Sequence, residues 1–305
     1  MNFLITGGAG NLGSSLAKRL SSDPSNHIVV TDKFLTGKSI NLPKDNPQID
    51  LLAADANSMQ EMAKVFQQYS FDYVFHYAAV VGVERTLNDP IAVLNDIDGI
   101  KIILELSLEN NIKRAFFSSS SEVYGEPVEI PLNETTTPLN SKLPYAIVKN
   151  VGEAYFRSYG RVHGLDYTIM RFFNTYGPCQ SDDFVIPRFI DAARKNEDIT
   201  INGDGSQTRT FLYIEDNLDF ICSLIEKNEC KNTTVNVGSD EELSILDLAK
   251  MIINLTNSES KLVHLPELEE GDMTRRKPDI TKMRSVLNRD LISLEKGIKK
   301  YLENT

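Results

Sequence analysis

A tyrosine and a lysine four residues apart, Tyr145 and Lys149, are the residues whose types and spacing point most directly to chemistry. Pro144 precedes them, and the pattern that follows predicts a helix to residue 163, so both side chains share one helical face. An ammonium group beside a phenol favours the phenolate and brings a tyrosine into range as a general base near neutral pH. The pair predicts a proton-transfer site, although this spacing also arises by chance on ordinary helices.

Four consecutive serines, residues 118–121, follow a predicted strand and lead into Glu122. Ligands of parallel sheets collect outside the carboxyl ends of the strands, so hydroxyl groups at this point would face a substrate. Serines alone favour the alternative interpretation, a polar surface loop. A serine-lined strand end in the same chain strengthens the prediction made from Tyr145 and Lys149.

The N-terminal stretch predicts a strand, a tight turn and a helix, because a short apolar run breaks into Gly7, Gly10 and Gly13 before a helical pattern begins. Such a turn lets the backbone approach a pyrophosphate and points the N-terminus of the helix at its negative charge. The next strand ends in Asp32, about twenty residues beyond the last glycine, where an acid can accept hydrogen bonds from an adenosine ribose. The two features together favour a dinucleotide site over an ordinary strand-to-helix turn.

Strand and helix patterns alternate through the first half of the chain and would position these candidates. A strand leads to Asp55, helices are predicted over 59–69 and 90–110, and another strand ends at His76. This rhythm is typical of a doubly wound parallel sheet. Asp55 and residues 76–79 should lie near the cofactor, although Asp55 could instead cap the helix that follows it. We interpret His76 as a packed strand-end residue, because no acid lies near it in sequence.

The regular alternation stops after the strand predicted over 167–173. This break predicts a cofactor-binding domain over residues 1–177 and a smaller α/β substrate lobe over 178–305. Segments near 210–236 can return to the first domain.

Basic side chains stand at predicted turns of the second half, beside short elements such as a strand predicted over 210–214. Guanidinium groups suit phosphate oxygens, although any single surface arginine commonly pairs with an acid instead. These arginines are Arg188, Arg209, Arg275 and Arg276.

The composition excludes several classes of protein. The chain has 305 residues, of which 41% are hydrophobic and 25% charged, and this argues for a large core and against disorder. A net charge of -11 argues against nucleic-acid and anionic-membrane binding, and no apolar run is long enough to cross a bilayer. The three cysteines and four histidines lack metal-like spacing, so we expect reduced thiols, a cytoplasmic location and no metal site.

Motifs along nearly the whole chain resemble those of the extended short-chain dehydrogenases/reductases that act as nucleotide-sugar epimerases, dehydratases and decarboxylases. The resemblance implies a Rossmann-type doubly wound sheet with a C-terminal substrate lobe, NAD as cofactor, a nucleotide-sugar substrate and a homodimer. The matching segments are TGGAGNLG at 6–13, HYAA at 76–79, SSSEVYG at 119–125, YAIVK at 145–149, RFFNTYGP at 171–178, GDGSQTRTFLYIEDN at 203–217 and RRKPDI at 275–280.

The resemblance implies roles for the matching residues. Asp32 would bind the adenosine ribose and disfavour the extra phosphate of NADP, and Asp55 would contact adenine. Tyr145 would take the proton of a sugar hydroxyl that also bonds to Ser120, while Lys149 would lower the pKa of the phenol and bind the nicotinamide ribose. The other cofactor contacts implied are Gly7, Gly10, Asn11, Leu12, Gly13 and Ala78. The substrate contacts implied are Asn174, Gln207, Arg209 and Arg276.

Three residues depart from the family pattern. Asn11 stands where an aromatic residue is usual, and we expect this change to be tolerated because it lies between required glycines. Asp96 stands where asparagine is usual, which removes a hydrogen-bond donor from the support of the active-site loop. Cys179 stands where arginine is common, which weakens the implied contact with phosphate or sugar.

The reaction implied by the resemblance begins with oxidation at C4 of the sugar, and the ketone acidifies the C5 hydrogen and eases loss of a C5 carboxylate. Glu122, two residues beyond Ser120, resembles dehydratases and decarboxylases, and residues 275–280 resemble decarboxylases, whereas the chain-wide pattern resembles 4-epimerases. We therefore predict an NAD-dependent UDP-hexose 4-epimerase, with Glu122-assisted 4,6-dehydration or UDP-glucuronate decarboxylation as the alternative. A non-catalytic NAD-binding regulator is a further alternative, against which the intact Tyr145 and Lys149 argue.

Overall fold

The computed structural model describes residues 1–81, 83–267 and 275–304. Its strands are β1 Asn2–Thr6, β2 His27–Asp32, β3 Ile49–Ala53, β4 Tyr73–His76, β5 Arg114–Ser120, β6 Tyr167–Phe172, β7 Thr175–Tyr176, β8 Ile199–Asn202, β9 Thr208–Thr210, β10 Leu212–Tyr213, β11 Thr233–Val237, β12 Glu242–Ser244 and β13 Leu262–Leu265. Its helices are α1 Asn11–Leu20, α2 Met59–Gln68, α3 Val83–Asn88, α4 Pro90–Leu94, α5 Asp96–Glu109, α6 Pro144–His163, α7 Val185–Lys195, α8 Ile214–Glu226, α9 Ile245–Thr256, α10 Thr281–Leu287 and α11 Leu294–Glu303.

Seven parallel strands of the described chain form one sheet in the order β11-β6-β5-β4-β1-β2-β3. The order reverses direction beside β1, so the crossover helices lie on both faces. In the register of the sheet, Thr6 lies opposite both Thr31 and His76, which brings the ends of β1, β2 and β4 to one edge. The predicted doubly wound parallel sheet is confirmed.

Helices cover both faces because the strands carry apolar side chains on both sides. All seven residues of β5 are buried. On one face α2, α5 and α6 pack through side chains such as Met62, Ile103 and Phe156. On the other face α1 and α8 pack through Leu16 and Leu224. Burial on both sides is typical of parallel strands and gives the sheet edge a rigid support.

The C-terminal part of the chain contains shorter pairings. β7 pairs with β10, β8 with β13, and β9 with β12, each as a two-stranded sheet. β11 instead joins the central sheet, where it pairs with β6. Among the described helices, none combines the length and the hydropathy that crossing a bilayer requires.

Two predicted elements differ in the structure. The helix predicted over 90–110 is divided at Asn95 into α4 and α5, because Asp98 N–H donates to the Asn95 carbonyl at 3.1 Å in a turn tighter than an α-helix. The strand predicted over 210–214 is divided into β9 and β10 at the buried Phe211. The division follows from a change of partner, since β9 pairs antiparallel with β12 and β10 pairs parallel with β7.

Candidate active site

A cavity of about 410 Å³ opens at the carboxyl edge of the sheet. Its wall runs from the turn after β1 to the first turn of α6 and to the segment after β13, which is where α/β folds bind their ligands. Gln207 and Arg209 do not line it. The predicted site residues that do are Gly7, Gly10, Asn11, Leu12, Gly13, Asp32, Asp55, Ala78, Ser120, Glu122, Tyr145, Lys149, Asn174 and Arg276.

The glycine turn brings backbone directly to the cavity wall. Gly7 has φ +66°, a left-handed conformation that favours glycine, and a Cβ there would lie 2.7 Å from the Cα of Ala78. A Cβ on Gly13 would lie 2.5 Å from the Cα of Gly8. α1 begins directly after Gly10, which supplies no side-chain cap. The N-terminal amides of α1 therefore fit an anionic group such as a pyrophosphate.

Gly7→Ala tests this turn. We expect NAD affinity to fall roughly tenfold or more, because strain of about 1–3 kcal/mol falls on the turn and on Ala78 beside it. Calorimetric titration with NAD measures the change. Gly164→Ala is the matched control, since Gly164 also has positive φ (+73°) but has no atom within 4 Å of its added Cβ and lies at the end of α6. Unchanged NAD affinity in Gly7→Ala would contradict the assignment.

Two acids line the part of the cavity beside β2 and β3. Asp32 accepts hydrogen bonds from the backbone N–H groups of Ala9 (2.9 Å) and Phe34 (2.7 Å), which fix its carboxylate with acceptor capacity to spare. Asp55 lies 3.3 Å from the Lys33 ammonium. Asp55 is not the cap of α2, because Ser58 holds that position and accepts from Glu61 N–H. An oriented acid beside an uncapped helix end fits the ribose and pyrophosphate of NAD.

Tyr145 and Lys149 stand in the first turns of α6, which begins at Pro144, one residue before the predicted start, and ends at His163 as predicted. The Lys149 ammonium lies 3.3 Å from the Ser118 hydroxyl and 5.6 Å from the centre of the Tyr145 ring. Burial lowers the pKa of Lys149 to about 8, and the charge of Asp96 opposes that shift. The structure thus brings the predicted base, its lysine and the serine strand end into one group.

The pKa of Tyr145 is raised in the protein alone. Burial raises it, the charges of Glu122 and Asp96 raise it further, and only a hydrogen bond with Ser120 lowers it. Desolvation of the phenolate is the largest of these effects, and the lowering of this pKa by Lys149 stays a prediction. His76 is packed as predicted: it is 2% exposed, and burial lowers its pKa to about 3.

Glu122 and Arg276 form an ion pair inside the cavity. Arg276 Nη1 donates to Glu122 Oε1 at 2.8 Å and to the Ser121 hydroxyl at 3.3 Å. The second carboxylate oxygen of Glu122, Oε2, is buried and has no hydrogen-bond partner among the residues that the structure describes. The backbone N–H of Glu122 donates to the Ser120 hydroxyl at 3.2 Å. Arg276 therefore lies beside the group around Tyr145.

The backbone on both sides of Arg276 is fixed. Arg275 forms a β-bridge with Thr208, and Pro278 forms one with Leu132. The Arg275 guanidinium binds both carboxylate oxygens of Glu242, at 2.6 and 2.8 Å. Sequence reasoning missed Glu242, because nothing local to it signals a contact with a residue 33 positions away.

A buried ion pair lies behind the serine strand end. Glu153 is fully buried, accepts from Arg171 at 2.7 Å on each oxygen, and accepts from the Ser119 hydroxyl at 2.6 Å. Arg171 also donates to the Tyr124 hydroxyl at 2.8 Å. Sequence reasoning missed Glu153 although a signal exists, since it continues the four-residue spacing of Tyr145 and Lys149 along one face of α6.

The predicted substrate contacts are divided by the structure. Asn174 lines the cavity and donates to the Thr210 carbonyl at 3.0 Å. Gln207 donates to the Asn202 carbonyl at 3.2 Å, and the buried Arg209 donates to the Thr208 carbonyl at 2.8 Å. The part of Gln207 and Arg209 in substrate binding stays a prediction.

The three departures from the family pattern also have defined surroundings. Asp96 uses both oxygens as acceptors, from Val80 N–H at 2.7 Å and from the Asn57 amide at 3.1 Å, so the active-site loop is supported without a donor at this position. Asn11 lines the cavity as the first residue of α1. Cys179 is exposed at the cavity, in a left-handed conformation with φ +67°.

A family model, described as the NAD dependent epimerase/dehydratase family, matches residues 3–238. UDP-N-acetyl-alpha-D-glucosaminuronate decarboxylase of Bacillus cytotoxicus is 36% identical, covering 98% of this chain and 96% of that protein. A putative UDP-glucose 4-epimerase of Methanocaldococcus jannaschii is 32% identical, with coverage of 98% and 96%. The crystal structure of UDP-glucose 4-epimerase from Thermotoga maritima with UDP-glucose superposes with a TM-score of 0.93 at 29% identity, covering 99% of this chain and 98% of that one.

Proposed function

Since this chain belongs to the NAD-dependent epimerase/dehydratase family, we propose that it oxidises a UDP-linked sugar at C4 and then releases carbon dioxide from a carboxylate on C5. The observation that supports the release of carbon dioxide is the position of the Arg276 guanidinium inside the cavity, beside Glu122. The name of the Bacillus cytotoxicus relative, a UDP-sugar uronate decarboxylase, supports it.

The first step depends on Tyr145, Ser120 and Lys149. Ser120 orients the C4 hydroxyl, and the Tyr145 oxygen takes its proton while Lys149 stabilises the phenolate. The glycine turn and Asp32 would hold the cofactor. When bound, NAD would supply a positively charged ring that accepts the hydride from C4, and its reduced form would be the hydride donor at the end of the cycle.

Arg276 would bind the group on C5. Three contacts connect it with Tyr145, namely Arg276 with Glu122, the Glu122 backbone N–H with Ser120, and Ser120 with Tyr145, which supports a position near the sugar. C5 is the neighbour of C4, and a guanidinium fork matches a carboxylate. With a ketone at C4, the electrons of the breaking C5–C6 bond move to the ketone oxygen as carbon dioxide leaves, and a proton is then added at C5. Arg276 would orient the carboxylate for this step.

Simple 4-epimerisation is the second candidate. The neutral charge of the Glu122 and Arg276 pair favours it. Glu122 already neutralises the charge of Arg276, and an internally neutral pair suits an uncharged hexose. The Tyr145, Ser120 and Lys149 group suffices for oxidation and re-reduction at C4. The putative epimerase of Methanocaldococcus jannaschii is a relative with that name.

A panel of UDP-glucose, UDP-glucuronate and UDP-N-acetylglucosaminuronate separates the two candidates, with products identified by mass spectrometry and NMR. Loss of carbon dioxide from a uronate is expected. Isobaric epimers from all three sugars would overturn decarboxylation and support epimerisation.

Arg276→Gln should lower kcat/KM for the uronate about a hundredfold, as expected for loss of a charge-assisted hydrogen-bonded contact. Initial rates of carbon dioxide release measure the effect. Arg284→Gln is the control, because Arg284 pairs with Asp240 on the surface and does not line the cavity. An equal loss in both variants, or none in Arg276→Gln, would remove Arg276 from the reaction.

A further inference from the structure

The hydroxyl group of Tyr124 is buried close to Glu122 and joins two neighbouring strands of the central sheet. Tyr124 is 1% exposed and ends the short 3₁₀ helix, residues 121–124, that contains Glu122. Its oxygen accepts from Arg171 at 2.8 Å, and its O–H donates to the Asn236 carboxamide oxygen at 2.7 Å. Arg171 of β6 and Asn236 of β11 are opposite each other in the register of the sheet. A buried hydroxyl with both a donor and an acceptor is held in one orientation.

The side chain of Asn236 connects this hydroxyl with two further backbone segments. Asn236 is fully buried, and its Nδ2 group donates to the Leu132 carbonyl at 2.8 Å and to the Asp279 carbonyl at 3.2 Å. Its carboxamide oxygen accepts from Tyr124, so both polar ends of the side chain are engaged. One asparagine therefore holds segments that lie more than a hundred residues apart in sequence.

Leu132 fixes the backbone next to Arg276. Its N–H donates to the Lys277 carbonyl at 2.8 Å, and its carbonyl accepts from the Asp279 N–H at 2.8 Å. The Asn236 side chain binds the same Leu132 carbonyl and the carbonyl of Asp279. Arg276 therefore directly precedes a segment that is held by backbone and side-chain hydrogen bonds together.

Glu122 and Arg276 meet where the two structures joined by the Tyr124 hydroxyl come together. Glu122 stands two residues before Tyr124 in the 3₁₀ helix, and Arg276 begins the segment that Asn236 holds. The ring of Tyr124 belongs to the same buried apolar cluster as Leu132. The 2.7 Å hydrogen bond between Tyr124 and Asn236 therefore limits how far the guanidinium and the carboxylate can move apart.

We propose that Tyr124 and Asn236 are positioning residues for the reaction, which hold the Arg276 guanidinium against Glu122. The proposal rests on the role of Arg276 in the proposed function. Neither Tyr124 nor Asn236 lines the cavity, so both act through the ion pair rather than on the substrate. A buried polar network whose members are all hydrogen-bonded specifies one arrangement. The two residues thus set the direction in which Arg276 presents its N–H groups to a carboxylate.

Tyr124→Phe removes the hydroxyl and keeps the ring. The Asn236 oxygen then loses its donor, so the carboxamide is no longer held toward Asp279, and kcat/KM for the uronate should fall about tenfold. Initial rates are also compared in an Arg276→Gln background. There the same change should cost less than about twofold, because the ion pair that it positions is already absent. A general weakening of the fold would lower the rate by the same factor in both backgrounds.

Asn236→Leu tests the position of the ion pair without turnover. The change removes the donors to Leu132 and Asp279 with little change in side-chain volume. In the crystal structure of this variant, the distance between Arg276 Nη1 and Glu122 Oε1 should lengthen from 2.8 Å to more than about 3.5 Å. The crystal structure of Tyr124→Phe supplies the same measurement if Asn236→Leu does not fold.

Asn26→Leu is the matched control. Asn26 is also a buried asparagine, its Nδ2 group donates to the Leu20 carbonyl at 2.9 Å, and it does not line the cavity. The ion pair should be unchanged in this variant. An ion pair that keeps its distance in Asn236→Leu, or equal losses from Tyr124→Phe in both backgrounds, overturns the proposal. Because the distance is measured without turnover, an epimer in the sugar panel would refute decarboxylation and leave this result to be read separately.

Discussion

Tyr145→Phe is expected to lower turnover by about 10³-fold while NAD binding is retained. The change removes the oxygen that would take the C4 proton and leaves the ring that packs beside Lys149. The catalytic loss should therefore appear in kcat rather than in KM alone.

The measurement combines product formation with the transient absorbance of reduced nicotinamide after mixing with a UDP-sugar. Both signals should vanish in Tyr145→Phe while calorimetry still detects NAD binding. Tyr155→Phe is the matched control, since it deletes the same oxygen from the same helix outside the cavity. Turnover like that of the wild type in Tyr145→Phe would refute the mechanism.

Arg171→Leu is expected to lower the free energy of unfolding by about 3–5 kcal/mol. Glu153 is fully buried, and its stronger cationic partner would be gone, which leaves a carboxylate that cannot be rehydrated in the folded protein. The hydrogen bond from Arg171 to Tyr124 would be lost as well. Urea unfolding followed by circular dichroism measures the change.

Arg157→Leu supplies the control, because Arg157 binds the same Glu153 carboxylate from a side chain that is 43% exposed. We expect a loss of about 0–1 kcal/mol from this variant, since solvent screens the exposed Arg157 guanidinium and Arg171 still pairs with Glu153. The double variant Arg171→Leu with Glu153→Leu should recover much of the loss, because the unpaired charge is removed. Equal effects from the Arg171 and Arg157 variants would show that burial of the pair is not the cause.

Acidic pH should weaken the stabilisation that the ion pair of Glu153 and Arg171 gives to the fold. Burial raises the pKa of Glu153. The hydrogen bond and the charge of Arg171, together with the hydrogen bond from Ser119, lower it by more, so that the pKa lies below the ordinary 4.5. A depressed folded-state pKa means that the stabilisation is complete above the unfolded pKa and is lost as the pH falls through the folded one. The free energies of unfolding of the wild type and of the double variant should therefore become more similar at acidic pH.

Local patterns were sufficient to predict the scaffold. The doubly wound parallel sheet follows from alternating strands and helices, and the glycine turn from residues adjacent in sequence. The proximity of Tyr145 and Lys149 could also be predicted from the sequence, because both residues lie on one helix and four residues make about one helical turn. In each case the physical cause acts within a few residues of the signal.

Contacts between distant segments, and the effect of burial on the site, could not be predicted from local patterns. Glu122 and Arg276 are 154 residues apart, and their contact depends on two β-bridges that hold the segment around Arg276. The pKa of Tyr145 depends on burial, which a sequence motif does not reveal. The positions of Gln207 and Arg209 depend on the change of partner between β9 and β10.

The position of β11 has a consequence for the newly made protein. Synthesis on the ribosome proceeds from the N-terminus, so β6 emerges with one side of its backbone unpaired and stays so until residues 233–237 have followed. An exposed edge of this kind can pair with another chain. Arg276 emerges later still, after the whole central sheet is complete. The nascent chain can therefore assemble the wall that would hold NAD before it acquires the cation beside Glu122.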